Sequence, residues 1–260
     1  MIPVGERFGK QMEKYMLEAC VDSVESALAA KAGGAARLEL CSNLIIGGTT
    51  PSQSLFEEVR DNSDICTHIL IRPRFGDFCY TDHEFHIMQR EVRSFRKLGA
   101  NGVVIGILKP DGTLDVERMK ILIEEAGEMS VTLHRAFDVC VDPFEAMEQA
   151  KEIGVRTILT SGQKNHCRDG KELIKELVKR EDGCITIMVG SGVDAETIQE
   201  IQPYTKACVF HMSGKRNLES PMVYRKEGVS MGMPCFSEFE IIRTEQEKIR
   251  RACDVLERLF

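Results

Sequence analysis

Residues 15–41 read YMLEACVDSVESALAAKAGGAARLELC, and their pattern decides the fold. One apolar run ends in Leu17-Glu18-Ala19-Cys20 and a second ends in Leu38-Glu39-Leu40-Cys41, with a helical segment between them. Successive side chains of a strand point to opposite faces. Glu18 and Cys20 therefore share one face, as do Glu39 and Cys41 on the next strand. Leu17, Ala19, Leu38 and Leu40 take the other face, which suits packing under helices. Two carboxylates and two thiols thus converge where two adjacent strands stop.

The alternation continues outward. After YMLEACV and ARLELC come the strand candidates THILIRP from Thr67, GVVIGIL from Gly102, VTLHRAF from Val131, RTILTS from Arg156, CITIMVG from Cys184 and ACVFHMS from Ala207. Most are nearly continuously apolar, as parallel strands covered by helices are. Helix starts are marked by the capping-box patterns Asp22–Glu25, Thr81–Glu84 and Ser237–Glu240, by Asp142-Pro143, and by Asp115 and Asp194. Gly33, Gly99, Gly127 and Gly154 stand where helices end. Eight βα units without a low-complexity linker predict an α/β fold, a single (β/α)8 TIM-barrel-like domain over residues 14–260. Residues 1–13 read as a mobile N-terminal extension. Residues 212–236, rich in Gly, Met and Pro, read as a long connection that serves as a lid or an interface.

Composition narrows the function. A net charge of -7 argues against non-specific binding to nucleic acid or to an anionic membrane. No stretch approaches the ~20 apolar residues of a membrane span. The start, MIPVGERFGK, has no apolar signal region, so a cytoplasmic location is expected. The ten cysteines are scattered singly without a CxxC, which suits free thiols in a reducing compartment. His83 and His86, at i, i+3, read as a solvated helix surface rather than a metal site.

In such barrels the working residues sit at the C-terminal strand ends and in the loops beyond. Those positions hold Glu18, Cys20, Glu39, Cys41, Arg72, Arg74, His134, Arg135, Asp138, Ser161, Ser191, His211 and Ser213. One reading is structural: an ion-pair layer in which Glu18 and Glu39 balance Arg72. A functional mouth explains better why so many titratable types gather at one end. Gly190-Ser191-Gly192 after strand seven and His211-Met212-Ser213 after strand eight suit a phosphate site built from backbone N–H groups. Cys20 and Cys41 read either as small core residues or as a soft-metal pair that selects Cu(I).

The segments LEACVDSVESALAAKAGGAARLELCSNL, GGTTPS, ILIRPRFGDFCYTD, VTLHRAFDVCVDP, ILTSGQ and YRKEGVSMG resemble the CutC family, named for copper homeostasis, from about Leu17 to Gly232. The resemblance implies a (β/α)8-like barrel, a cytoplasmic homo-oligomer and a role in copper handling. Cys20 and Cys41 match the family's suspected Cu(I) ligands. Phe75 departs from the family by standing where a second glycine follows RPR, and Leu44-Ile45-Ile46 makes the approach to GGTTPS more apolar.

The leading expectation is a cytoplasmic copper homeostasis protein that binds Cu(I) through Cys20 and Cys41. The alternative is a barrel enzyme acting on a small anionic or phosphorylated metabolite. There Glu18, Glu39, Arg72, His134, Arg135 and Asp138 would do acid/base chemistry. Arg74, Gly190, Ser191, Gly192, His211 and Ser213 would bind the anion.

Overall fold

The computed structural model describes residues 14–226, 228–229, 231 and 237–260. The expected extension at 1–13, and parts of the 212–236 segment and of the YRKEGVSMG motif, lie outside the described residues. Eight parallel strands close into a barrel in sequence order. They are β1 (Met16–Val21), β2 (Arg37–Leu40), β3 (Cys66–Leu70), β4 (Gly102–Ile105), β5 (Ser130–Leu133), β6 (Thr157–Thr160), β7 (Thr186–Val189) and β8 (Val209–Met212). The helices are α1 (Val24–Gly33), α2 (Gln53–Asn62), α3 (Asp82–Lys97), α4 (Val116–Ala126), α5 (Pro143–Glu152), α6 (Lys171–Lys179), α7 (Ala195–Thr205) and α8 (Gln246–Leu259). The (β/α)8 expectation holds.

The closure follows from two-sided burial. Leu17, Ala19, Val21, Leu38 and Leu40 pack outward into one large core with the helices' apolar stripes. On α3 that stripe is Phe85, Met88, Val92 and Phe95. Burying each such side chain stabilises the fold by roughly 1.5–3 kcal/mol. A second, small cluster of Met16, Leu159, Met188 and Val209 comes from the opposite, inward strand positions and fills the barrel. Above it the interior turns polar. Register sets the neighbours there: Glu18 lies level with Arg37 on β2 and with His211 on β8, and Cys20 lies level with Glu39.

The local capping patterns are met unevenly. Thr81 and Glu84 form the expected capping box, and Asp142 caps α5 ahead of Pro143. The first cap is Ser23, whose Oγ accepts from Ser26 N–H; Asp22 instead accepts from Leu44 N–H. Helix α1 ends one residue later than expected, with Gly34 at φ +100° as its cap, whereas Gly33 sits against Ile249 of α8 where a Cβ has no room. The pattern Ser237–Glu240 caps no helix. Glu240 opens β10 (Glu240–Thr244), which pairs antiparallel with β9 (Lys215–Glu219), and α8 starts six residues later at Gln246. Part of the expected long connection, β9, is therefore one arm of a two-stranded antiparallel sheet beside the barrel mouth. Ile241, Ile242 and Thr244 give it the β-branched character of a strand.

Candidate functional site

Glu18 is completely buried and takes charged partners from both flanking strands. The Arg37 guanidinium on β2 donates from Nε to Oε2, and His211 Nδ1 on β8 lies 2.7 Å from Oε1. Arg37 also reaches the Met188 sulfur at 3.5 Å. Burial pushes the Glu18 carboxyl up, but Arg37 and His211 outweigh it and hold the group well below the usual carboxylate range. The expected partner, Arg72, is not in this layer; Arg37 neutralises Glu18.

With Nδ1 engaged, His211 turns Nε2 toward the mouth, 3.8 Å from Glu39 Oε2. The Cys20 sulfur, a Glu39 oxygen and a His211 ring nitrogen all lie within 4.8 Å of one another. Among the described residues no other three His, Cys, Asp or Glu side chains gather so. Burial works against the charged form of His211, yet the facing Cys20 sulfur, Glu18 and Glu39 outweigh it and hold the ring well above its usual range. Burial pushes Glu39 up to about 7; Glu18 adds to that push while His211 and Arg37 oppose it.

Cys41 stands apart from this trio. Cys20 is level with Glu39, so Cys41 sits two residues further along β2, roughly 7 Å up the strand. Its thiol donates to Val21 O at 3.5 Å and packs with Leu70, Val104 and Leu44. Burial, and next the Glu39 charge, keep that thiol well above its ordinary pKa.

Across the mouth, His134 follows β5 and packs over Gly106 and beside Phe78, ring centroids 4.9 Å apart. Its Nδ1 accepts from Ala136 N–H at 3.1 Å, so the ring proton belongs on Nε2. Nε2 is buried without a protein partner. Burial, and then Arg72, push His134 down to about 3, so at neutral pH it is an uncharged donor. Arg72 donates to the carbonyls of Gly47, Gly48 and Gly76 and stacks on Phe78, tying two loops together. Arg74 pairs with Glu84 and Asp77, donates to Cys79 O, and does not line the mouth. Arg135 lines the mouth, bound to Asp138 at 2.6 Å. Asp138 is spent on local bonds from Thr160 Oγ1 and the Ser161 and Gln163 amides.

The mouth encloses a cavity of about 690 Å³. Cys20, Glu39, Arg72, His134, Arg135, Ser191, Gly192, His211 and Ser213 all line it. Gly190 lies just beneath, where a Cβ would fall 2.5 Å from Leu159. Ser191 and Gly192 take positive φ at the rim, and the Ser191 hydroxyl donates to Asn165 O. The N-terminus of α7 is capped by Asp194 itself, which accepts from Thr197 N–H at 2.7 Å. Asp194 and Glu196 share the rim with Lys248 and Arg251, so it carries both signs of charge. His83 and His86 are exposed on α3, away from the mouth.

Sequence reasoning missed Arg37, the counter-charge of Glu18. Alternation alone puts it on the face of Glu39, two residues before it. It also missed His68, which lies two residues before Leu70 on the inward face of β3 and packs over Gly102. Burial and Arg37 push His68 down to about 3. Arg37 and His68 line a second cavity of about 580 Å³, at the N-terminal ends of the strands.

A closed βα barrel with a buried thiol, imidazole and carboxylate meeting at its C-terminal mouth defines a site fit for a soft metal or for thiol chemistry. The comparisons with known proteins narrow the class to a family. The chain belongs to the CutC family, whose model matches residues 15–216. It is 46% identical over 239 residues to a family protein CutC of Parabacteroides distasonis, covering 91% of this chain and 98% of that one. It is 39% identical over 237 residues to the copper homeostasis protein cutC homolog of Mus musculus, covering 91% and 87%. Among solved structures, a copper homeostasis protein CutC from Streptococcus agalactiae superposes with a TM-score of 0.73 at 31% identity, over 76% of this chain and 98% of that one. Thiamine phosphate pyrophosphorylase from Pyrococcus furiosus shares the fold alone, with a TM-score of 0.57 at 14% identity over 95% and 98% of the chains.

Proposed function

We propose that this chain takes part in copper homeostasis by holding Cu(I) at the barrel mouth, with Cys20 as its sulfur ligand. The observation that carries this reading is the Cys20–Glu39–His211 cluster, with ligand atoms within 4.8 Å. Its donors suit the ion. Cu(I) favours thiolate and accepts imidazole, and Glu18 on Nδ1 orients the ring so that Nε2 is offered. The copper names of the mouse relative and of the Streptococcus structure point the same way. Metal must displace protons from Cys20 and His211, so retention should strengthen as pH rises.

Two forms of the site differ in their second ligand. In one, Cys41 turns from Val21 O toward Cys20 and the ion sits between two sulfurs. In the other, His211 is the partner and Cys41 is a core residue; the distances favour this one. Anaerobic competition with a Cu(I) chelator separates them. Wild type should retain Cu(I), and Cys20→Ser should lose it. Cys41→Ser should keep it in the His211 form and lose it in the two-sulfur form. Equal retention by wild type and Cys20→Ser would overturn both.

This reading places the protein in the cytoplasm, where free thiols persist. No described helix is long and apolar enough to cross a membrane. It also includes self-association, which the exposed Met222, Val223, Tyr224 and Met231 beside the β9–β10 sheet support and sedimentation tests.

A second reading, an enzyme acting on a small anionic metabolite, draws on Glu39 near 7 and on the unpartnered His134 Nε2–H in one cavity. A thermal-shift screen of phosphate esters tests it, with Arg135→Ala expected to weaken any hit. No shift with any ester would remove it.

A further inference from the structure

We propose that Cys20 is a nucleophile, with His211 as its base and Glu18 as the residue that positions the ring, and that it takes small activated acyl compounds through a thioester. This goes beyond the copper reading, although it uses the same sulfur.

Three observations carry it. First, the groups are ordered as a nucleophile, a base and an orienting acid require. Cys20 lies within 4.8 Å of a His211 ring nitrogen, and His211 Nδ1 lies 2.7 Å from Glu18 Oε1. Arg37 fixes Glu18 from behind, so the ring cannot turn without breaking a buried ion pair. Second, the arrangement is selective. The described cysteines include buried Cys140 and Cys167 and exposed Cys184, yet Cys20 alone joins a histidine and a carboxylate in such a cluster. Third, the sulfur is reachable. Cys20 and His211 both line the 690 Å³ cavity, wide enough for a small acyl group. His134 lines the same cavity from β5, and its Nε2–H has no protein partner. A buried, uncommitted donor of this kind can stabilise the oxygen of a reacting carbonyl.

The chemistry needs no outside oxidant or reductant. His211 Nε2 holds the proton taken from Cys20, and as the thiolate sulfur bonds to the carbonyl carbon the carbonyl π pair moves onto oxygen. The tetrahedral adduct collapses, the bond to the leaving group breaks, and that group departs with the proton from His211. Water then adds to the thioester with His211 taking its proton. The C–S bond breaks, the carboxylic acid leaves, and the proton taken from water stays on His211 beside the freed Cys20 thiolate.

The probes are iodoacetamide and p-nitrophenyl acetate, with peptide mass spectrometry to place each label on the full-length chain. Cys184, exposed and outside the cluster, is the internal reference. Cys20 should be alkylated at least about tenfold faster than Cys184 despite its burial. It should also be the residue that carries the acetyl group. His211→Gln should lower the Cys20 rate about a hundredfold and leave Cys184 unchanged. Glu18→Gln should act likewise, with Glu18→Asp recovering part of the rate, which a merely structural role would not produce. His211→Gln keeps the Glu18–Arg37 pair, so it stays informative if Glu18→Gln fails to fold. A Cys20 that reacts no faster than Cys184, or whose rate ignores His211→Gln, overturns the proposal. Copper retention without acetylation of Cys20 overturns it too and leaves the copper reading standing. Acetylation without copper retention supports it and removes the copper reading.

Discussion

The barrel mouth presents a buried histidine on each side, and the two have opposite electrostatics. His211 on β8 faces Glu18, Glu39 and the Cys20 sulfur, and is held well above its usual range. His134, after β5, sits against Gly106 and Phe78 with Arg72 as its charged neighbour, and is pushed down to about 3. Both are buried, so burial alone would make both neutral. The sign of the neighbouring charge decides between them. One fold thus holds an imidazole that keeps its proton and another that never takes one, across a single cavity. The first side stores a mobile proton beside a sulfur; the second offers a fixed N–H.

The contrast rests most heavily on Glu18. Replacing it with leucine keeps the volume but leaves Arg37 buried at 2% exposure without a counter-charge. Breaking a buried pair by removing one partner costs about 3–5 kcal/mol. Glu18→Leu should therefore lose most of that in denaturant unfolding. In any folded fraction, the His211 ring should titrate lower by NMR. An undiminished midpoint with an unmoved His211 resonance would show that the acidic side does not depend on Glu18.

The lowered and the raised imidazoles also pull stability in opposite directions with pH. His68 and His134 are held near 3 in the fold against about 6.5 unfolded. Below 6.5 the unfolded chain binds protons that the native one refuses. Their stabilisation is therefore complete above 6.5 and falls as pH drops toward 3, by on the order of 1 kcal/mol per pH unit for each. His211 is raised instead, so its contribution is complete below 6.5 and is lost as pH climbs through its folded value. Unfolding measured from pH 7 down to 4 should show the acid slope, and His134→Asn should flatten it. A slope that survives both His134→Asn and His68→Asn would assign acid loss to the carboxylates alone.

Close packing distinguishes the sides again. A methyl added at Gly106 would stand 2.5 Å from Cε1 of the His134 ring, whereas at Gly190 it would meet the tip of Leu159 at 2.5 Å and His211 only at 3.6 Å. A ring pinned by a backbone hydrogen bond cannot yield, but a leucine tip can rotate. Gly106→Ala should cost about 1–3 kcal/mol and shift the His134 resonances. Gly190→Ala should cost less and leave His211 close to its original shift. The reverse order would mean that the His134 ring is the looser of the two.

How much of this was legible in sequence depends on the range of the signal. Strand positions and the inward face of Glu18, Cys20, Glu39 and His211 follow from alternation, a rule that acts within one segment. Which charges meet does not. Alternation puts Arg37 on β2 and Arg72, two residues past the end of β3, on the same inward side, and only barrel register puts Arg37 level with Glu18. Register likewise separates Cys41 from Cys20 by two residues, although both close the same Leu-Glu-x-Cys phrase. Helix caps fail for a related reason: a capping pattern is satisfied only where the backbone goes on to be helical. Thr81–Glu84 and Ser237–Glu240 share the pattern, but the second runs into β10, whose partner β9 arrives from twenty residues upstream. The smallest predicted effect separates them. Thr81→Ala removes a hydroxyl that accepts from Glu84 N–H at 3.3 Å and should cost about 1 kcal/mol. Ser237→Ala removes only a bond from Phe239 N–H in an exposed turn and should fall within about 0.5 kcal/mol of wild type. Equal costs at the two sites would mean that the sheet edge is held by its turn and not by the pairing of β9 with β10.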